Sequence, residues 1–133
     1  MLVEQTEESL VATVVTYLGY AIITKMLSGG VQAVPDFCAF GTGAGTAAAT
    51  DTALFTEIGA GRVTGTPTQQ TTTQTNDTFQ VVGTLTAGSA LAITNAGLFD
   101  ASTSGNLFLI GDFAVINLAS GDTLTLTAKT QIT

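Results

Sequence analysis

The sequence contains no histidine, no tryptophan and one cysteine among its 133 residues. Without histidine, the chain has no imidazole general base and no His-ligated metal. A single cysteine excludes an internal disulfide and every site that needs two thiols. No group of residues stands out as catalytic, cofactor-binding or metal-ligating, so we expect the protein not to be an enzyme and to bind no cofactor.

Charged residues are also scarce. They make up 10% of the chain, with Lys+Arg 3 and Asp+Glu 10, for a net charge of -7; about 25% is usual for a soluble domain. Three cations cannot neutralise many phosphates, so nucleic acid is not an expected partner. Because mixed surface charge keeps a free monomer soluble, the scarcity suggests that neighbouring chains cover much of this surface. We therefore expect a homo-oligomer.

The longest apolar stretch covers residues 10–27, LVATVVTYLGYAIITKML. Acidic Glu4, Glu7 and Glu8 precede it, where a signal peptide would have basic residues. Lys25 and three threonines interrupt it, so it does not fit a membrane-spanning helix and we expect no membrane association.

Helical spacing of the apolar side chains predicts a helix over residues 10–27, ended by residues 28–30, SGG. A strand over residues 11–17 is the alternative, because β-branched residues are frequent there. The apolar face packs either on the protein's own sheet or on a neighbouring subunit, and both arrangements remain open. The candidate interface residues are Leu10, Val14, Tyr17, Leu18, Ile22 and Met26.

Beyond residue 30 the chain is rich in Gly, Thr and Ala, and strands are predicted at residues 36–40, 78–86, 90–99, 107–116 and 123–132. The connections have turn composition and no helical pattern, which favours antiparallel pairing. The expected fold is mainly β, a small antiparallel β-sandwich with an N-terminal α-helix or arm. We divide the chain into an arm, residues 1–30, and a sandwich domain, residues 31–133.

Two loop regions have further candidate roles. The Gly-rich segment 41–46 superficially resembles a phosphate-binding loop but lacks the lysine and the following helix. Residues 47–58 are ambiguous, with a short turn of helix through residues 53–55 as one interpretation. The wholly polar stretch 66–76 is expected to be an exposed loop or edge strand.

Several single residues have both a functional and a structural interpretation. Asp100, Asp112 and Asp122 could gather as calcium ligands, but Asp most often caps turns. Cys38 is expected to be a small buried side chain, since no histidine activates it. Arg62, the only arginine, is expected to pair with an acid of a neighbouring strand or subunit.

Asp51 and Glu57 could form the acid pair of a glycosidase, although nothing fixes their separation. Solvated surface acids are the simpler interpretation of both residues.

Five segments carry a more specific pattern: residues 40–43 (FGTG), 51–58 (DTALFTEI), 93–101 (ITNAGLFDA), 106–109 (NLFL) and 116–127 (INLASGDTLTLT). In this order and spacing, the region from Phe37 to Thr133 resembles a family of small structural proteins of tailed bacteriophages. The resemblance does not cover the N-terminal segment.

Two departures from the family pattern occur. Asn95 replaces the usual Glu, and Ala128-Lys129 replaces a frequent Trp-Thr pair.

The resemblance implies a virion component, most specifically a capsid decoration (cement) protein on the outer surface of the head. Its partners would be the major capsid protein and further copies of itself, with a trimer as one arrangement. A tail, neck or fibre-base component is the alternative within the same class. A carbohydrate-binding or adhesion module is the alternative of another class, although the chain has few aromatic residues for stacking on sugars.

Overall fold

The computed structural model describes residues 13–133 in full and, among the first twelve, the backbone of two short strands. The single helix of this described part is α1 (Tyr17–Leu27). The strands are β1 (Leu2–Glu4), β2 (Glu8–Leu10), β3 (Thr13–Val15), β4 (Phe37–Gly41), β5 (Val63–Thr64), β6 (Thr66–Gln70), β7 (Thr78–Thr86), β8 (Leu91–Phe99), β9 (Leu107–Leu118) and β10 (Thr123–Gln131).

The strands form two five-stranded sheets in which every neighbouring pair is antiparallel. Sheet A has the order β2-β1-β10-β7-β6, and sheet B has the order β3-β9-β8-β4-β5. A small antiparallel β-sandwich is therefore confirmed. Strands β7 to β10 lie within two residues of their predicted bounds, because alternating apolar residues and clear turn residues define them.

The main core lies between the sheets. Leu124, Leu126 and Ala128, which are alternate residues of β10, are all buried there. Next to β10 in sheet A, strand β7 contributes Val81 and Leu85 to the same core. Close approach of the sheets is possible near Cys38 because Gly83 faces it; a Cβ at residue 83 would lie 2.6 Å from the Cys38 sulfur.

A second, smaller core lies on the other face of sheet B. Ala39, Phe99, Leu107 and Ile110 are buried against Leu54 from the long connection between β4 and β5. Residues 42–62 thus form a third layer, which we call the cover segment. The short helix considered at residues 53–55 is wrong: the peptide groups of this segment bond to the end of β4 instead, including Gly43 N to Phe55 O at 2.8 Å.

The predicted helix is wrong in its first part. It begins at Tyr17 rather than at residue 10, and Thr13–Val15 forms β3, paired with β9. Thr16 ends the strand and caps the helix, with its hydroxyl accepting a hydrogen bond from Gly19 N at 3.0 Å. The alternative strand is thus confirmed for Thr13–Val15, while residues 11 and 12 lie outside the described part.

The apolar residues predicted to line one face of a single helix therefore lie partly in strands and partly in α1. Leu10 and Val14 lie in strands β2 and β3, whereas Leu18, Ile22 and Met26 lie in α1. The N-terminal segment contributes strands to both sheets, since β1 pairs with β10 and β3 with β9. The division into residues 1–30 and 31–133 stays a prediction about independent folding.

Candidate assembly surface

Helix α1 packs on its own sheet through one narrow face. Ile22 is 2% exposed and belongs to the main core. Gly19 lies so close to β9 that a Cβ there would be 2.3 Å from the Phe108 carbonyl oxygen. Two backbone hydrogen bonds also hold the start of the helix: Thr16 N donates to Phe108 O, and Tyr17 N donates to Ala49 O. At least this face of the helix therefore belongs to the domain's own core.

The opposite face of α1 carries large side chains in solvent. Tyr17 is 61% exposed, Tyr20 53% and Leu27 82%; their spacing of three and seven residues places them along one side of the helix. The two tyrosine rings lie 6.2 Å apart at a tilt of 44°. We call Tyr17, Tyr20 and Leu27 the exposed helix stripe.

The exposed stripe continues into an apolar end of the molecule. Of the large hydrophobic side chains that the structure describes as exposed, all but Val115 lie in α1, in the segment after it, or at the C-terminal end. The members beyond the stripe are Met26, Val31, Val34 and Ile132. Together these seven residues define what we call the apolar end.

The sequence-predicted interface residues divide between core and surface. Tyr17 and Met26 are exposed, Val14 and Leu18 are half-buried, and Ile22 is in the core. The side chain of Leu10 lies outside the described part. Tyr20, Leu27 and Val31 were not among the predicted candidates. Thr16 is a recognisable N-cap residue and could have marked the start of the helix, but the spacing does not tell which side chains face solvent.

Every side-chain carboxylate of residues 13–133 except that of Asp36 accepts a hydrogen bond from another residue. Asp112 accepts from Ala47 N, and Asp122 from Ala119 N, each at 2.8 Å. Asp51 accepts from Ala48 N, also at 2.8 Å, whereas Glu57 pairs with Arg62. The interpretation as turn caps fits Asp51 and Asp122, whereas Asp112 lies in β9 and ties that strand to the cover segment. The described residues contain no group of three potential metal ligands.

Asp77 and Asp100 are the most strongly engaged of these turn residues. Hydrogen bonds from the backbone of Gln74 and Thr72 lower the pKa of Asp77 well below its usual range. Burial acts to raise the pKa of Asp100, but hydrogen bonds from Asn106 and Gln32 outweigh it and keep the pKa low. These carboxylates stabilise turns in their charged form.

Cys38 lies fully buried between the sheets, as expected for a structural side chain. Burial, assisted by the charge of Asp36, raises the pKa of its thiol to about 12. The thiol therefore stays protonated at neutral pH and is a poor nucleophile.

Arg62 holds the cover segment to the β8–β9 connection. Its Nε and Nη2 donate to Glu57 at 2.9 and 3.1 Å, and its Nη1 donates to the carbonyls of Ala101 and Ser104, both at 2.7 Å. The guanidinium carbon lies 3.5 Å from the centre of the Phe99 ring. Arg62 thus pairs with an acid, as predicted, but the acid belongs to the same cover segment rather than to a neighbouring strand or subunit. Only 6% of the arginine side chain is exposed.

The segments 40–43, 51–58 and 93–101 meet around a second anchor, Asn95. Its side-chain amide donates to Phe55 O and its oxygen accepts from Phe55 N, both at 3.1 Å. The backbone N–H groups of Thr42 and Gly43 bond to Thr56 O and Phe55 O. Because those donors are occupied, the Gly-rich loop does not present them to a phosphate.

The polar stretch 66–76 forms the outer strand β6 followed by a turn, as one of its two interpretations expected. All five residues of β6 are exposed. The turn is held by the Asp77 carboxylate, which accepts from Thr72 N at 2.8 Å and Gln74 N at 3.0 Å.

No known protein family, curated protein or solved structure matches the chain. In the described residues, no helix is both long and apolar enough to cross a membrane.

Proposed function

We propose that the chain is a bacteriophage virion structural protein, specifically a capsid decoration (cement) protein. It binds the shell of major capsid protein from outside and stabilises the head. The observation that carries the proposal is the apolar end: its large exposed side chains need a covering surface, and contiguous exposed apolar area marks interaction sites. The order of phage-like sequence segments supports the virion setting.

The distribution of charge favours contact through this same end. Residues 13–35 carry one charge, that of Lys25, whereas the whole chain has a net charge of -7. Contacts made here avoid much of the like-charge repulsion that two acidic surfaces would experience. Copies of the chain therefore associate most favourably through the exposed helix stripe, which fits a small homo-oligomer on the shell.

The test of location is cryo-electron microscopy of virions of the phage that encodes the chain. We expect density for the sandwich on the outside of capsid hexamers or at their three-fold junctions. Density confined to the tail, neck or fibre base would contradict a decoration role and support the alternative structural role.

The test of the surface uses a Tyr20→Ser, Leu27→Ser double variant, with Val115→Ser as the matched control. Val115 is also exposed but lies in β9, outside the apolar end. Shells lacking the protein should bind the control like the wild type and bind the double variant at least tenfold more weakly. Equal binding of all three proteins would show that binding to the shell needs neither the stripe nor association of copies through it.

A glycan-binding module is the second candidate, because the exposed Tyr17 and Tyr20 rings offer an aromatic surface to a sugar face. A glycan array distinguishes the two roles. Binding that is lost in a Tyr17→Ala, Tyr20→Ala variant would support the module, whereas no binding by the wild-type chain would argue against it.

A further inference from the structure

A groove lies at the apolar end, where α1 meets the last residues of the chain, and its volume is about 490 Å³. Its walls include Ile23 and Met26 from the helix, Phe79 and Phe108 from the two sheets, and Ile132. The described residues that line it are all uncharged, and most of them are apolar. The groove therefore has room and suitable walls for an apolar side chain of a neighbouring molecule.

A projecting apolar side chain, that of Leu27, stands directly beside the groove. Leu27 is the last residue of α1, it borders the groove, and 82% of it is exposed. A side chain that can be inserted and a groove that can receive it thus lie next to each other on one surface. Such a surface is self-complementary, because two copies that meet about a two-fold axis can each insert this side chain into the groove of the other.

Two charged side chains next to these features favour a second copy as the occupant. Lys25, two residues before Leu27, is exposed and makes no ion pair with the described residues. Asp36 directly follows Pro35, which lines the groove, and its half-buried carboxylate accepts no hydrogen bond from them. The two charges are opposite, so a second copy brings a complementary partner for each of them together with the apolar side chain.

We propose that a second copy of the chain fills this groove: Leu27 of each copy enters the groove of the other, and Lys25 of each copy pairs with Asp36 of the other. The complex is an isologous dimer with two identical contacts. The inference rests on the self-association that the proposed function assigns to the exposed helix stripe, and it names the contact that the stripe makes.

The apolar contact and the ion pair contribute in different ways. Burial of the Leu27 side chain removes apolar surface from water and supplies affinity. An ion pair at the rim of an interface adds little affinity, but it disfavours arrangements that bring like charges together. The pair therefore fixes how the two copies are oriented, and its reversal is a sensitive probe of which residues meet.

Cysteine pairing distinguishes insertion into the groove from contact between two helices. Leu27→Cys and Ile132→Cys are prepared as separate variants, mixed and oxidised, because both residues border one groove and two cysteines in one chain would pair internally. The native Cys38 is fully buried and does not interfere. We expect at least tenfold more disulfide-linked dimer in the mixture than in either variant alone. Val115→Cys, exposed in β9, replaces Ile132→Cys in the matched control and should give no such excess.

Charge reversal tests the proposed ion pair between copies. Lys25→Asp and Asp36→Lys each bring like charges together at both contacts of the dimer, and each should weaken self-association about tenfold in sedimentation velocity. An equal mixture of the two variants should associate like the wild type, because every contact again joins opposite charges. This rescue also shows that both variants are folded. Lys129→Asp reverses an exposed cation outside the groove and should associate like the wild type.

Three results would overturn the inference: equal cross-linking with Ile132→Cys and Val115→Cys, cross-linking of Leu27→Cys alone as strong as in the mixture, or charge variants whose mixture associates no better than either alone. Failure here is distinct from failure of the proposed function, because virion imaging locates the protein without reference to this contact. Particles that carry the protein on the head, combined with any of these three results, would reject only the groove contact.

Discussion

The cover segment buries apolar side chains of sheet B, whereas the apolar end leaves large apolar side chains exposed. On the outer face of sheet B, residues 42–62 bury Phe99 and Ile110, and two polar anchors, Asn95 and Arg62, hold this cover in place. At the apolar end, α1 buries Ile22 but leaves Leu27 exposed, and the Thr130 hydroxyl has no partner in the described part of the chain.

The difference shows where the scarce charges of the chain are used. Arg62 is wholly engaged inside the subunit, and Asp51, Asp77, Asp100 and Asp122 hold turns. Little charge remains to solvate the apolar end. Polar side chains therefore hold the cover in one region, and in the other region large apolar side chains stay exposed.

Of the substitutions considered, replacement of Arg62 should destabilise the cover segment most. Arg62→Met would leave Glu57 and the carbonyls of Ala101 and Ser104 without their donor, and we expect a loss of about 3 kcal/mol in the free energy of unfolding. Urea denaturation measures it. Lys129→Met, which removes an exposed cation, is the control and should change stability by less than about 0.5 kcal/mol. Equal effects would mean that the Arg62 contacts contribute little.

Removing Asn95 should loosen the same region by a smaller amount. Asn95→Leu leaves the N–H and C=O of Phe55 without their side-chain partner, at a cost of about 2 kcal/mol. Hydrogen exchange should increase in residues 42–58 before it increases in β7 or β10. Asn117→Leu at an exposed site of β9 is the control. Uniform exchange across both sheets would contradict a separate cover layer.

Adding one methyl group at Gly19 tests whether α1 belongs to the core. Gly19→Ala brings a Cβ against the Phe108 carbonyl oxygen, and overpacking of this kind costs about 1–3 kcal/mol, partly offset by about 1 kcal/mol of helix propensity. Thermal unfolding should show a net loss. At Gly88 an added Cβ would have nothing within 4 Å, so Gly88→Ala should be nearly neutral. A stabilised Gly19→Ala variant would show that the helix is loosely held.

The smallest effect is expected at Asp77, in the exposed turn after β6. Because its folded-state pKa is lowered, this carboxylate stabilises the fold above its unfolded pKa of about 3.9, and that contribution is lost as pH falls through the lower folded value. Asp77→Asn should therefore be less stable than the wild type at neutral pH, and the difference should shrink in acid. Asp36→Asn controls for net charge. A difference that stays constant with pH would contradict this role.

The sequence was sufficient for the sandwich because β7 to β10 alternate apolar and polar residues between well-defined turns. It was insufficient at residues 10–16, where the β-branched residues that form β3 also fit a helical repeat. Only tertiary contacts, including pairing of β3 with β9, decide between these structures.

The candidate surface was predictable only in part. Helical periodicity identifies the apolar side chains of α1, but it cannot tell which of them the sheet will cover, so Ile22 and Met26 received the same prediction. The groove depends on residues distant in sequence, such as Phe79 and Ile132, and no local pattern joins them. The roles of Arg62 and Asn95 likewise depend on contacts across 40 or so residues.

The most direct test of the apolar end as a contact surface is sedimentation velocity from the lowest detectable to the highest soluble concentration. Wild type and Val115→Ser should form a small discrete oligomer as concentration rises, and Tyr20→Ser, Leu27→Ser should remain a folded monomer. A wild-type chain that stays monomeric throughout, at low and high salt alike, would contradict self-association through the exposed helix stripe.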